Sequence, residues 1–423
     1  MTGILLLLLG FLSNEVYAIH GARIVTLAGE PIEKGTVVIR NGRISEVGAD
    51  VSVPAGAEII EAEGLEVYPG IMDAVSQLGL AEVGAVPVTV DTVELGDFNP
   101  QVRAAAAVHP ASEHIPVARA NGITHAVAAP GSFSDFGGGG GFGIQGQASL
   151  VNLDGWTVEE MAISPSVGMV LRWPSLETRE FDFSTFELKK LKFEDVKKKY
   201  DERVAQLGDW IEDARRYARA AAAGGETDLK LEALARVVRK ELPLLVVADD
   251  ERDIRAAVEF ASTRDLRMAL LRGRDSWMVK DVLREKGIPV ILGPTLALPA
   301  TEDTPYDKPL TTASELQAAG VRVIFASFSS ANSRLLPHEV GNAVAYGLPW
   351  EEGLKGITLY PAQLFGVADS LGSIEEGKTA NLVVTDGDPL EIRTEVRYLF
   401  INGKLVSLEN KHRSLYEKYR ARP

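Results

Sequence analysis

The sequence contains no cysteine. That removes disulfide frameworks, thiolate metal sites and thiol nucleophiles together, and leaves the compartment open. Positive charge falls short of negative, with 44 Lys plus Arg against 59 Asp plus Glu and a net of −15. The long-range field therefore repels phosphate backbones and anionic membrane surfaces, so nucleic acid is not an expected partner. Long apolar runs are missing beyond the first residues, and no membrane span is expected. Residues 4–9, ILLLLL, with Gly10, Phe11 and Leu12, form a run of signal-peptide length that is too short to cross a bilayer. No Lys or Arg precedes it, and VYA at 16–18 reads either as a cleavage site or as the opening of a strand. Export to the periplasm or beyond is the reading taken here, with a cytoplasmic chain carrying a chance apolar start as the alternative.

What is present is apolar enough to bury a large core: 46% of 423 residues are hydrophobic, a length that suits one big barrel or two to three ordinary domains. From Val16 to Tyr68 short β segments alternate with turns, and Asn41-Gly42, flanked by apolar alternation, is a type I′ hairpin signal because both turn positions need positive φ. The same texture returns in ANLVVTDGDP and VRYLFINGKLVSL, with Asn402-Gly403 as a second hairpin turn. Flanks this short are expected to pair into one composite β-sandwich, residues 16–68 with 374–408. Between them, at 69–373, apolar strands alternate with amphipathic helices. GIMDAV, THAVAAP, LPLLVVAD, LRMALLRG, IPVILGP and VRVIFAS read as strands; DIRAAVEFAST and SWMVKDVLREKG read as helices. No dinucleotide-type glycine fingerprint follows the first strand, so an α/β fold with a (β/α)8 TIM-like barrel is expected rather than an open sheet. Residues 186–240 carry a long charged helix expected to end at Gly224-Gly225, and 409–423 form a helical tail.

The opening IHGARIVTLAGEPIEKGTVVIRNGRISEVG, the junction YPGIMDA and the ending GITLYPAQLFGVADSLGSIEEGKTANLVVTDGDPL resemble the amidohydrolase superfamily, specifically its imidazolonepropionase-like and dipeptidase-like members. The likeness runs over nearly the whole chain, and GSIEEGKTANLVV is its most specific piece. It implies one or two divalent metals at the C-terminal mouth of the barrel. The ligands would be a His-x-His pair ending strand one, often a bridging Lys or Glu, a His ending each of strands five and six, and an Asp ending strand eight. Imidazole and carboxylate hold zinc-like cations, which acidify a bound water.

Residue by residue, the resemblance puts the first pair on Val75 and Gln77, the strand-five ligand on Val247, the strand-six ligand on Arg272 and the strand-eight ligand on Phe328, after Ser327. Valine and phenylalanine carry no donor atom, glutamine offers one weak neutral oxygen, and arginine adds a positive charge where a cation belongs. The frame on either side of each position fits, so a shifted register does not explain the substitutions.

Three carboxylates remain near the mouth, Asp73, Asp249 and Asp250. A metal-free acid–base pair, with Asp73 and Asp249 as catalytic candidates, is one reading. Capping of the helix that starts near Asp253 is the simpler reading for Asp249 and Asp250. Arg272 is expected to pair with one of these acids and fill the cavity left by the metal. The run FGGGGGFG, 136–143, reads as a flexible loop, since no Gly-Lys-Ser or Gly-Lys-Thr follows it. Gln145, Gln147 and Ser149 after it, and Ser327, are candidates for lining a ligand pocket. The six histidines are scattered and read as structural or exposed.

The expectation is therefore a homologue of metal-dependent hydrolases of C–N bonds, of non-peptide or dipeptide type, that carries no metal and works as a binding or assembly subunit. It would act as a homo-oligomer or beside an active amidohydrolase paralogue, and a small-molecule ligand is left open. The alternative is a divergent active amidohydrolase with a rearranged or metal-free site using Asp73, Asp249 or Gln77, with a divalent metal such as zinc in that case alone.

Overall fold

The computed structural model describes residues 16–133, 141–182, 185, 187–221, 226–299 and 303–422. The N-terminal apolar run, most of the glycine run and the Gly224-Gly225 helix stop lie outside them. The chain opens with β1 (Val16–Ile24), β2 (Ile32–Arg40), β3 (Arg43–Gly48), β4 (Glu58–Glu61) and β5 (Glu66–Pro69). Asn41 and Gly42, at φ 53° and 78°, make the turn between β2 and β3. β1 runs antiparallel to β2 on one side; on the other it pairs parallel, first with β4 and then with β5.

β6 (Ile71–Ser76) follows β5 after Gly70, whose position brooks no side chain because a Cβ there would collide with Thr124. The barrel continues through β7 (Ile123–Ala128), β8 (Gly143–Asn152) and β9 (Ala162–Arg172). β10 (Arg179–Asp182) and β11 (Glu187–Lys190) form a separate ribbon. β12 (Leu244–Ala248), β13 (Met268–Arg272), β14 (Val290–Leu292) and β15 (Val323–Phe325) complete the sheet, in which β6 to β9 and β12 to β15 lie side by side in that order. It nearly closes: Phe328 N–H, just past β15, donates to the Val75 carbonyl at 2.9 Å.

One departure from a uniform (β/α)8 pattern is evident. β8 is antiparallel to both β7 and β9, while the other neighbouring pairs run parallel. A parallel connection needs a crossover, usually a helix, whereas an antiparallel one returns directly. Between β8 and β9 there is room for one short helix, Val158–Met161.

The barrel interior is mostly apolar above a floor that includes His125. Met72, Val127, Leu150, Val170, Leu245, Leu271, Ile291 and Ile324, among others, form one buried cluster. A larger cluster lies between strands and helices. The helix Phe193–Ala221 buries Tyr200, Leu207, Ile211 and Ala214 and turns its charges outward, including the Lys197–Asp201 and Lys198–Glu202 pairs one turn apart. Asp228 then caps the helix Leu229–Val238 by accepting from the N–H groups of Lys230 and Leu231 at 2.8 and 3.0 Å.

β16 (Leu382–Thr385), β17 (Val396–Ile401) and β18 (Lys404–Leu405) return to the first sheet, where β16 pairs antiparallel with β5 and brings the two ends of the sequence together. The Asn402-Gly403 turn presses on the Asn41-Gly42 turn: a Cβ on Gly403 would stand 2.5 Å from the Gly42 Cα. The helix Lys411–Arg420 buries no residue.

Candidate functional site at the barrel mouth

β6, β12 and β13 end at the mouth of the barrel, where the segment after β15 also arrives. The five positions at which the resemblance expects ligands sit at or just past these strand ends. Val75, Val247 and Phe328 are all buried in the barrel-interior cluster together with Phe133, which comes from the segment after β7. The Phe133 and Phe328 rings lie 5.4 Å apart, tilted by 52°. Apolar side chains thus plug the centre of the mouth.

Phe328 holds φ at 53° and Arg272 at 67°, both left-handed. For residues with a Cβ that conformation is disfavoured by about 1 kcal/mol or more, so packing and pairing hold both in place. Arg272 is buried; its Nε donates to Asp249 Oδ2 at 3.2 Å, and its Nη1 donates to the Phe133 carbonyl. Asp249 also faces Arg274, whose backbone N–H lies 3.4 Å from Oδ1. The arginine therefore ties the ends of β12 and β13 to the aromatic plug. Gln77, half-buried, donates from Nε2 to the Gly131 carbonyl at 2.8 Å.

Asp73 is wholly buried at the seam between β6 and the segment after β15. Its Oδ1 accepts the Ser327 N–H at 2.9 Å, and its Oδ2 accepts the hydroxyls of Ser327 and Ser333 at 2.5 and 2.7 Å. Burial pushes its pKa up to about 6, against those hydrogen bonds, which favour the charged form. All the partners are donors, so the carboxylate serves as a strut across the closing seam. Ser327 is consumed by the same strut.

The other residues singled out from the sequence divide. Gln145 bonds back to the carbonyls of Gly141 and Gly143. Gln147 faces the outer layer, donating to the Pro100 carbonyl at 2.8 Å and accepting from Arg236 at 3.4 Å, and Ser149 bonds to Ala105 N–H and the Pro165 carbonyl. The strand's alternation explains this: Ala148 and Leu150 take the interior, so 147 and 149 point outward. Helix capping was expected of Asp249 and Asp250. Instead Asp250 makes no side-chain cap bond, and Asp275, from the segment after β13, accepts the Glu251 N–H at 3.2 Å. Phe133 and Asp275 were not identified from the sequence, since each acts on residues far from it along the chain.

The donor set does not suit the divalent metals that the resemblance implies. Three of the five positions have no lone pair to offer, Arg272 repels a cation, and Gln77 has one neutral amide oxygen, a weak ligand. Among the described residues no group of three or more His, Asp or Glu is arranged to hold a metal ion. His125 is buried, its pKa lowered by burial to about 3, and is a neutral member of the barrel floor. Room at the mouth lies to one side of the plug, in a cavity of about 420 Å³ between the ends of β13 and β14, with Leu292, Leu296 and Thr312 in its walls beside Arg274 and Lys308. Among the described residues no helix is long and apolar enough to cross a membrane.

The profile of the amidohydrolase family matches residues 165–406. Amidohydrolase tasK of Hapsidospora irregularis is 25% identical over 412 residues, covering 87% of this chain and 39% of that protein. The chain thus spans 39% of the length of the curated relative it matches. A solved amidohydrolase from Thermotoga maritima MSB8 superposes with a TM-score of 0.78 at 26% identity, over 92% of this chain and 99% of that one. A prolidase complexed with N-methylphosphonate-L-proline shares the fold at a TM-score of 0.57 and 18% identity, over 93% of this chain and 99% of the other.

Proposed function

The chain belongs to the amidohydrolase family, and from that premise we propose that it is a non-catalytic member that works as a binding or assembly subunit. One observation carries the reading. Val75, Val247 and Phe328 are packed into a single apolar plug where metal ligands would converge, and Arg272 is neutralised by Asp249 beside it. A hydrolytic metal centre needs electron-pair donors around an open coordination position. Here four of the five seats hold valine, phenylalanine or arginine, the fifth holds a glutamine with one weak neutral oxygen, and the central volume is taken up by side chains.

Assembly is supported by the rim of the mouth. The segment after β6 exposes Val88 and Leu95 at 94% and 96%, and the segment after β14 exposes Leu298 and Tyr306 at 88% and 83%. Large apolar side chains held out into water on the face where a substrate would enter favour a protein partner. The partner fitting this reading is a second copy of the chain or a histidine-bearing paralogue. The alternative, a metal-free hydrolase using Asp73, Asp249 or Gln77, is disfavoured because each of these side chains is committed to a structural hydrogen bond or ion pair.

Elemental analysis of the purified, dialysed protein tests the central claim. Substoichiometric zinc, manganese and iron are expected, together with no turnover of dipeptides, cyclic amides or lactams above background. Near-stoichiometric metal retained through dialysis would overturn the proposal. Light scattering of the purified protein, with and without a histidine-bearing relative, tests the assembly part: a complex is expected, and a monomer in both samples counts against it.

A further inference from the structure

The face opposite the mouth carries a second cavity, of about 390 Å³, where the chain enters β14 and β15. Its apolar wall is made by Leu283, Ile288, Pro289 and Val321, and two guanidinium groups, Arg284 and Arg322, border it. Arg322 is positioned by packing of its own, and Arg284 is an exposed side chain at the rim. The Arg284 stem lies along Gly320, where a Cβ would stand 3.6 Å from Cδ. The Arg322 guanidinium lies over the Tyr360 ring, 5.1 Å from its centroid, and the Tyr360 hydroxyl donates to the two Glu352 oxygens at 3.0 and 2.9 Å, which fixes the ring.

Charge is left uncompensated here on a chain whose net charge is −15. Among the described residues Arg322 forms no salt bridge, and the carboxylate paired with Arg284 is Asp281 at 3.6 Å, an exposed contact of little strength. Glu352, the one acid in the wall, is engaged by Tyr360 and faces Lys355 at 4.0 Å. One arginine fork set by an aromatic ring and a second, exposed one beside an apolar wall, in a volume within the range of small-molecule sites, make an anion receptor with a greasy side. We infer that this cavity binds a small organic acid, its carboxylate held by Arg284 and Arg322 and its apolar body against Ile288, Pro289 and Val321. The inference is independent of the plugged mouth and stands or falls separately.

Isothermal titration of the full chain with benzoate, and separately with inorganic phosphate, tests it. Benzoate is expected to bind, phosphate at least tenfold more weakly, and Arg322→Gln and Arg284→Gln each to weaken benzoate tenfold or more. Both arginines are exposed enough for the variants to keep the wild-type melting temperature, and should one fail to fold, the other carries the test. Arg219→Gln, the same charge change on the long helix, is expected to leave the affinity unchanged. Absence of benzoate binding, equal affinity for phosphate, or affinity insensitive to Arg322 and Arg284 would each overturn the inference.

Discussion

At Val75 and Arg272 the side chain departs from the ligand that the resemblance implies, while the backbone frame around it is kept. The substitutions were legible because the frame around each, such as PGIMDAV, states where a ligand belongs; that Arg272 pairs with one of the nearby acids follows from charge, and that it is Asp249 only from the fold. The arrival of Phe133 was not legible, because it comes from a segment more than fifty positions from Val75. Asp73 has a consequence in solution. Its ordinary value of 3.8 rises to about 6 in the folded protein through burial, so between those values the folded form keeps a proton that the unfolded form gives up. Its contribution to stability is therefore present at low pH, declines as pH rises from about 4 to about 6, and is flat above. At about 1.4 kcal/mol for each tenfold change in proton affinity, the amplitude is about 3 kcal/mol. Asp253, also raised to about 6 by burial, adds a decline of the same sign in the same window. Asp73→Asn is predicted to remove the Asp73 part and keep the decline due to Asp253 and the other acids raised by burial, Asp250 and Asp275, a flattening that urea denaturation at pH 4, 5, 6 and 7 can measure. An unchanged pH profile would mean that Asp73 titrates normally and that the strut is not desolvated.

At the level of elements, local chemistry and distant partners can be told apart. Asn41-Gly42 and Asn402-Gly403 were readable as hairpin turns because positive φ at two adjacent positions has few sequence solutions. GIQGQASLVN and AISPSVGMVLR, which form β8 and β9, were not read as strands. Their glycine, serine and glutamine hide the alternation, and Gln147 and Ser149 find partners only in the folded outer layer. The reversed direction of β8 was equally hidden, since direction is set by the connection and not by the strand. The helix Glu251–Thr263 was expected to be capped by its own preceding aspartates, yet its first N–H is met by Asp275 across the mouth. Loss of a capping side chain costs about 1 kcal/mol. Asp275→Ala is thus predicted to lower stability by about that amount. Asp250→Ala should change it by no more than a few tenths, because among the described residues its salt bridge is to Arg274, at 3.7 Å and half-exposed. Equal effects in parallel denaturant titrations would show that the cap belongs to Asp250 after all.

On the scale of the whole molecule, the composite sheet and the barrel are joined by a buried polar knot. Asn381 leads into β16; its Oδ1 accepts the Asn402 N–H at 2.8 Å and its Nδ2 donates to Asn152 Oδ1 at 2.9 Å, while Asn152 Nδ2 reaches Asn402 Oδ1 at 3.1 Å. Asn152 ends β8 in the barrel, and Asn402 turns β17 into β18 in the sheet. The Asn381 carbonyl also takes the Gly70 N–H at 2.8 Å, where β5 passes into β6. Neither body can therefore form its share of the contact until β16 has returned from the far end of the chain to pair with β5. Two bodies coupled in this way should unfold in one transition. Asn381→Leu keeps a similar volume but strands the Asn402 N–H and the Asn152 Oδ1 in a buried setting, at about 1–3 kcal/mol for each orphaned group. The variant is predicted to lose about 2–5 kcal/mol while still melting in a single calorimetric step. If the knot is the main coupling between the bodies, it is also the place where cooperativity would first fail. Two resolved transitions in Asn381→Leu, against one in the parent chain, would show that the remaining β5–β16 pairing cannot hold barrel and sheet together.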